Sequence, residues 1–288
     1  MSLNRRKFIK LAGLGLGEAL LSPQVALASE GGDAENQAAM LYDTTKCIGC
    51  RACQNACNDW NENPAEPDAT GLYDAPSELS ADTWTIIKLY QEGNTSSFVK
   101  HQCMHCLHPA CVSVCPVGAL RKTAEGPVVY DSYKCIGCRY CMMACPFRVP
   151  KCEWDTPTPL ILKCNFCADR QAEGMEPACV QVCPTGAIVF GNRGDLIAEA
   201  RQRITDNPGK YQDHIYGEYE AGGTLGLYIS HVPFEKLGFP TLDARPNTAS
   251  SEAAMTTVPG VVVGAVTLLS GSYWFTKRRL GPEGKGEE

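Results

Sequence analysis

Four sets of four cysteines constrain this chain more than anything else in it. Cys47, Cys50, Cys53 and Cys57 make the first set, and Cys103, Cys106, Cys111 and Cys115 the second. Cys135, Cys138, Cys141 and Cys145 make the third, and Cys164, Cys167, Cys179 and Cys183 the fourth. The first and third follow C-x2-C-x2-C-x3-C, a spacing in which three thiolates wrap one corner of an iron–sulfur cubane while the fourth reaches elsewhere. Three of the sets end in Cys-Pro (Pro116, Pro146 and Pro184), whereas the first ends in Cys57-Asn58. Sixteen thiols so arranged predict four [4Fe–4S] clusters and one-electron chemistry.

Two other uses of cysteine weigh less. Zinc sites of four thiolates also draw on C-x2-C pairs, but two pairs across a spacer suffice for them, without a third Cys two residues on and then Cys-Pro. Disulfide frameworks belong mostly to small exported domains that lack a core. With 288 residues, 44% of them hydrophobic, this chain has material for one or two real cores. Cys152 stands outside the four sets and reads as a partly buried free thiol.

The sets are of two kinds, and they alternate. Tyr42-Asp43 through Lys46-Cys47-Ile48-Gly49-Cys50-Arg51 nearly repeats as Tyr130-Asp131 through Lys134-Cys135-Ile136-Gly137-Cys138-Arg139. Likewise Pro109-Ala110-Cys111-Val112 through Cys115-Pro116 repeats as Pro177-Ala178-Cys179-Val180 through Cys183-Pro184. Such an A, B, A, B order is an internal duplication. Between the second and third sets the chain runs through Val128-Val129-Tyr130 as a short strand, so those two sets are expected to close on themselves as one ferredoxin-like unit. The first and fourth would form the other, with Met40-Leu41-Tyr42 pairing against Ile188-Val189-Phe190.

With each fourth Cys crossing to its partner cluster, the ligand sets become Cys47, Cys50, Cys53 with Cys183, and Cys164, Cys167, Cys179 with Cys57. In the inner unit they become Cys103, Cys106, Cys111 with Cys145, and Cys135, Cys138, Cys141 with Cys115. A sequential pairing, first with second and third with fourth, stays open at this point. Gly49 and Gly137 permit the positive φ that turns backbone N–H groups toward sulfur. Lys46, Arg51, Lys134 and Arg139 are either cations that raise a cluster's potential or solvated surface charges. Trp60 and Tyr140 read as packing over a cluster.

The ends place the protein. Asn4-Arg5-Arg6-Lys7-Phe8 precedes a moderately apolar stretch, Leu11 to Leu21, and then Ala26-Leu27-Ala28. Paired arginines before a weak apolar region and an A-x-A pattern read as a twin-arginine export signal over residues 1–28. That route carries folded, cofactor-loaded proteins, which would keep the thiols out of disulfides. Near the other end, Val258 to Phe275 is an uncharged run of eighteen residues. At ~1.5 Å per residue it measures roughly 27 Å, close to the ~30 Å of a bilayer's hydrocarbon core. Tyr273, Trp274 and then Lys277-Arg278-Arg279 give aromatic and basic flanks, which favour a transmembrane helix over a buried core helix. Basic residues after the span put a cytoplasmic tail at 277–288 and the cysteine-bearing part in the periplasm, on the inner membrane. Gly260 and Gly264 form a G-x3-G pair that another helix can approach.

Other segments say less. A strand is expected at Thr83–Leu89, and a helix at Asp195–Thr205 with Leu196, Ile197, Ala200 and Ile204 on one face. Residues 207–257 read as an ordered docking extension with a polar linker. A net charge of −6 argues against a nucleic-acid partner, and no phosphate-binding loop, dinucleotide fingerprint or nucleophile motif is present. The five histidines show no metal-site spacing, and His105 and His108 read as local packing.

Over residues 40–280 the pattern resembles the four-cluster iron–sulfur subunits of membrane-bound molybdenum/tungsten oxidoreductases and of a respiratory nickel–iron hydrogenase. Cys47-Ile-Gly-Cys-Arg-Ala-Cys-Gln54 with Trp60-Asn61, Ser80-Ala-Asp-Thr-Trp84-Thr85, Glu176-Pro-Ala-Cys-Val180 and Cys183-Pro-Thr-Gly-Ala-Ile188 are similar to the beta subunit of respiratory formate dehydrogenase. The twin-arginine signal, Gly222-Gly-Thr-Leu225 and Val232-Pro-Phe-Glu-Lys-Leu237 instead look like the periplasmic uptake hydrogenase's iron–sulfur subunit, although the eleven residues 168–178 match the formate dehydrogenase spacing. The resemblance implies an electron-transfer subunit without a catalytic centre, wiring a formate dehydrogenase, or alternatively a hydrogenase, to a membrane cytochrome b and quinone.

The expected architecture is α+β: two nested ferredoxin-like units and one C-terminal span. The outer unit takes residues 40–101 and 150–191, and the inner unit 102–149. Residues 192–257 make the extension and linker, and 258–276 the transmembrane helix.

Overall fold

The computed structural model describes residues 34–64, 78–157 and 159–280. The expected export signal at 1–28 lies outside the described residues, as does the tail beyond residue 280.

The central element is β1, Ala38–Asp43, an apolar run buried along nearly its whole length. It is followed by α1, Ala52–Asn61. A hairpin comes next, β2 (Ile86–Glu92) against β3 (Thr95–His101), in register from Ile86 opposite His101 to Glu92 opposite Thr95. The strand expected at Thr83–Leu89 therefore begins three residues later and has a partner that went unread. The turn between them, Gly93-Asn94, is itself a hairpin signal.

The chain then forms α2 (Ala110–Ser113), a small hairpin of β4 (Leu120–Lys122) with β5 (Val128–Tyr130), and α3 (Tyr140–Ala144). A two-residue pair, β6 (Lys151–Cys152) with β7 (Ile161–Leu162), leads on to α4 (Ala168–Ala172) and α5 (Ala178–Gln181). Strand β8 (Ile188–Asn192) returns to β1 and pairs with it antiparallel, Met40 opposite Phe190 and Tyr42 opposite Ile188. This joins the two strands read at opposite ends of the cysteine-bearing region. Helix α1 packs on α5, and α2 packs on α3.

Residues 192–257, read as an extension and linker, contribute to the main core. Helix α6, Arg193–Asp206, packs Leu196 and Ala200 inward against β1 and β8. Strand β9, Gly226–Ile229, lies parallel to β1 on its other edge and gives the sheet order β8-β1-β9. Leu225, Leu227, Tyr228, Ile229, Val232, Phe234, Leu237 and Phe239 from this segment are all buried in one core with Met40, Leu41 and Tyr42. An ion pair pins the arrangement. The fully buried Asp43 carboxylate accepts from Arg203 Nη1 at 3.1 Å, from the Tyr211 hydroxyl at 3.0 Å and from the Thr45 amide at 3.0 Å.

The C-terminal helix α7 spans Ala249–Leu280, starting earlier than the apolar run alone indicates. Side chains from 253 to 278 are exposed, and Ser251–Arg278 is long and apolar enough to cross a membrane. Its hydroxyls turn inward on the helix backbone, Thr267 donating to Val263 O at 2.8 Å and Ser272 to Leu269 O at 2.9 Å. In a hydrocarbon environment such polar groups must find partners within the segment.

Candidate metal centres

All four cysteine sets share one backbone device. The residue just before the second Cys adopts positive φ in each: Gly49 at 70°, Gly137 at 67°, His105 at 45° and Phe166 at 63°. The turn points an amide at the first sulfur, with Gly49 N donating to Cys47 Sγ at 3.5 Å, Gly137 N to Cys135 Sγ at 3.4 Å and Phe166 N to Cys164 Sγ at 3.4 Å. Glycine adopts this conformation without strain. His105 and Phe166 hold it at a cost of about 1–2 kcal/mol each, and their rings pack together with centroids 4.5 Å apart. The fourth cysteines of the B sets receive amides differently. Ala119 N donates to Cys115 Sγ at 3.2 Å, and backbone N–H groups of Ile188 and Ala187 reach Cys183.

Two cavities collect thiols from distant parts of the chain. One is lined by Cys47, Cys50, Cys53 and Cys183 with Tyr42, Ile87 and Ile188. The other is lined by Cys57, Cys164, Cys167 and Cys179 with Met40, Lys100 and Phe166. Helix α1 supplies Cys53 and Cys57 one turn apart, and its packing on α5 brings Cys179 beside both. In the other half, Cys106 is surrounded by the thiols of Cys103, Cys145 and Cys111. Cys141 adjoins Cys138 and Cys135, and packs in one apolar cluster with Cys115.

The thiols sit where a bare sulfur anion is unstable. Burial pushes Cys53, Cys57 and Cys111 up to about 12, and Cys141, Cys145 and Cys167 up to about 11. Cys183 is the exception. Burial raises it, but the amides of Ile188, Ala187 and Thr185 and the Thr185 hydroxyl bring it below the ordinary thiol value. Such thiols become thiolates when a cationic group binds the sulfurs and their protons are released to solvent. Soft sulfur donors in fours, with N–H dipoles aimed at them, fit an iron–sulfur cluster. A single tetrahedral ion fits less well, since zinc draws thiolates in to ~2.3 Å. Among the described residues no three His, Cys, Asp or Glu side chains converge on one ion position.

Sequence reasoning missed two buried lysines, Lys100 and Lys163, and a half-buried one, Lys122. Lys100 lines the second cavity, Lys163 Nζ donates to Val128 O at 2.5 Å and Cys164 O at 2.9 Å, and Lys122 Nζ donates to Cys106 O at 3.1 Å and Gly126 O at 2.9 Å. Of the cations it did single out, Arg51 lines the first cavity, whereas Lys134 pairs with Asp131 at 3.0 Å and Arg139 covers the Trp154 ring at 4.2 Å, both away from it. Trp60 and Tyr140, read as packing over a cluster, are exposed instead. Trp60 bonds Asp169 at 2.7 Å and stacks under Arg170. None of the seventeen cysteines forms a disulfide, and Cys152 is buried beside Cys111 and Cys141.

Two profiles of the 4Fe-4S dicluster domain match the chain, over residues 46–120 and 95–193. A protein of Nitratidesulfovibrio vulgaris is 42% identical over 288 aligned residues, 96% of this chain and 78% of that protein. The hydrogenase-2 operon protein HybA of Escherichia coli O157:H7 is 38% identical, covering 93% of this chain and 94% of that protein. The nitrate-inducible formate dehydrogenase iron-sulfur subunit of Escherichia coli K12 is 39% identical, covering 69% of this chain and 70% of that subunit. The chain belongs to this family of 4Fe-4S dicluster proteins, with ferredoxin-like domains in a mixed α/β fold. Within that family it is an iron–sulfur electron-transfer subunit.

Proposed function

We propose that this protein carries four [4Fe–4S] clusters in crossed sets: Cys47, Cys50, Cys53 with Cys183; Cys57, Cys164, Cys167, Cys179; Cys103, Cys106, Cys111, Cys145; and Cys115, Cys135, Cys138, Cys141. The observation that carries the proposal is the pair of cavities whose linings match the first two sets, each drawing on both ends of the cysteine-bearing region. In support of the other two are the thiol neighbours of Cys106 and the common packing of Cys115 with Cys141. The pairing of β1 with β8 and of β4 with β5 favours two nested ferredoxin-like units. A bound [4Fe–4S] cluster accepts and returns one electron at a time.

Contacts between sets favour a single file of sites. Cys53 adjoins Cys179, Cys164 adjoins Cys103, and Cys111 adjoins Cys141. The cysteines of the interior sites are buried or half-buried, while Cys50 and Cys138, at the two extremes of the file, are exposed. Exposed apolar side chains surround each extreme, Ile48 at one and Tyr133, Ile136, Tyr140 and Met143 at the other. These rims suit protein partners that deliver and collect electrons. The partners proposed are a catalytic subunit and a membrane cytochrome b or other quinone-reactive protein. Helix α7, with its exposed apolar surface and its Tyr273, Trp274, Lys277 and Arg278 flank, would anchor the chain in the inner membrane. The cysteine-bearing part would then lie on the periplasmic side.

Formate dehydrogenase is the catalytic partner we favour, on the eleven-residue spacing of 168–178. A nickel–iron hydrogenase is the second reading, favoured by the near end-to-end match to HybA. Purified protein should hold about sixteen irons and absorb broadly in the visible; a colourless, zinc-loaded protein refutes the cluster reading. In membranes, reduction of the clusters by formate but not by hydrogen supports the first partner, and the converse supports the second. Reduction by neither refutes both.

A further inference from the structure

Lys100 is the least expected residue in the molecule. It ends the inward face of β3 at 1% exposure, and it lines the cavity of Cys57, Cys164, Cys167 and Cys179. Among the described residues no carboxylate pairs with it. Its ammonium donates to Gln102 Oε1, and the Gln102 amide in turn reaches Met40 Sδ at 3.6 Å, which fixes the group's position. The titratable groups set against it are the thiols of Cys179, Cys53, Cys164 and Cys57, which carry negative charge only as cluster thiolates. Lys163 and Lys122 differ, because two backbone carbonyls share each of their ammonium groups.

A buried cation without an anion is strongly unfavourable. In Lys100 the compensating anions are the sulfur ligands of two sites at once. One-electron reduction adds one negative charge to a cluster–thiolate unit and makes or breaks no bond. A fixed positive charge close by, out of water, therefore favours the reduced form more than the oxidised one.

We propose that Lys100 is a built-in counter-charge that raises the reduction potential of the cluster held by Cys57, Cys164, Cys167 and Cys179. It acts more weakly on the cluster of Cys47, Cys50, Cys53 and Cys183, and leaves the other two unmoved. The effect offsets the penalty that burial places on reducing an interior cluster. Electron passage through the middle of the protein stays level with its exposed ends. The inference rests on the crossed ligand sets proposed above.

The test is an EPR-monitored redox titration of full-length, detergent-solubilised protein at fixed pH and salt, with iron counted in every sample. The target cluster is assigned by the signal lost in Cys179→Ala. Lys100→Met should lower that cluster's midpoint by the equivalent of at least a tenfold change in its reduction equilibrium, ~59 mV for one electron. Lys100→Arg should restore most of the shift. Four clusters with unmoved midpoints in Lys100→Met overturn the proposal, as does an Arg variant shifted as far as the Met variant. Where Lys100→Met assembles no cluster at that site, Lys100→Gln decides, since it removes the charge while keeping a polar donor for Gln102 Oε1. A lowered midpoint then supports the proposal, and an unchanged one overturns it. Wild-type protein far short of sixteen irons sinks the ligand sets and this inference together, whereas sixteen irons with unmoved midpoints sink the role of Lys100 alone.

Discussion

Replacing Gly49 and Gly137 by alanine separates backbone strain from crowding at two copies of one motif. Both glycines hold nearly the same φ, 70° and 67°. Alanine in that left-handed region costs about 1–2 kcal/mol at either site. The surroundings then diverge. A methyl at Gly137 has Pro159 O as its nearest neighbour, at 3.9 Å, in ordinary contact. A methyl at Gly49 falls 2.5 Å from Phe98 Cε1 and within 2.6 Å of two further ring atoms, so the ring or the cysteine loop must move. Overpacking of this kind adds about 1–3 kcal/mol. Gly49→Ala is therefore expected to lose about 2–5 kcal/mol in all, against about 1–2 for Gly137→Ala. At about 2–4 °C per kcal/mol for a protein of this size, the two variants should melt roughly 2–12 °C apart. Cluster bleaching and far-UV circular dichroism, followed at one scan rate, provide the assay. Adding Phe98→Leu should recover most of the extra loss in the Gly49 variant and none in the Gly137 variant. Equal melting of the two single variants, or no recovery in the double, refutes the assignment of the difference to the Phe98 ring.

Three further expectations follow from other parts of the structure. Cys183→Ala should disturb the cluster of Cys47, Cys50 and Cys53 and spare that of Cys164, Cys167 and Cys179. Spectroscopy showing the reverse would discard the crossed pairing. Arg203→Met strands the fully buried Asp43 carboxylate and should cost about 3–5 kcal/mol; pairing it with Asp43→Asn should return much of that, measured by chemical denaturation. Ending the chain after Thr248 removes α7 and should free the protein from membranes at high salt with its iron intact. Retention on the membrane after truncation would mean that α7 is not the anchor.

The cysteine sets were legible in the sequence because ligand spacing is a local property, as were the positive-φ positions at Gly49 and Gly137. Strands β1 and β8 were legible because the duplication carries a strand beside each set. Strand β9 was not. Gly226–Ile229 is four residues long, and what makes it a strand is the free edge of β1, far away in sequence. The burial of Lys100 among cysteines was hidden for a related reason. A lysine on a strand reads as a solvent-facing charge unless its neighbours are known, and here they are thiols contributed by α1, α5 and the loop at Cys164. His105 and Phe166 concealed the shared turn, since neither residue type advertises a left-handed conformation. The signal that could have revealed them is their place in the motif, one residue before the second Cys in every set.

The position of β1 in its sheet also dictates a timetable for synthesis. It is made early, yet both of its partners, β8 and β9, come roughly 150 and 190 residues later. Until residue 192 has emerged, β1 is an apolar strand with two open edges and Cys183 is not yet beside Cys47, Cys50 and Cys53; one edge stays open until residue 229. The β4–β5 hairpin and the helices α2 and α3 around it pair largely with near neighbours in the chain, out to Ile161 and Lys163, although Glu125 O in the hairpin turn also accepts from Ala38 N. Contacts that close short loops form sooner than those that close long ones. With the ligand sets proposed above, the middle cysteines would come together while Cys47, Cys50 and Cys53 still wait for Cys183.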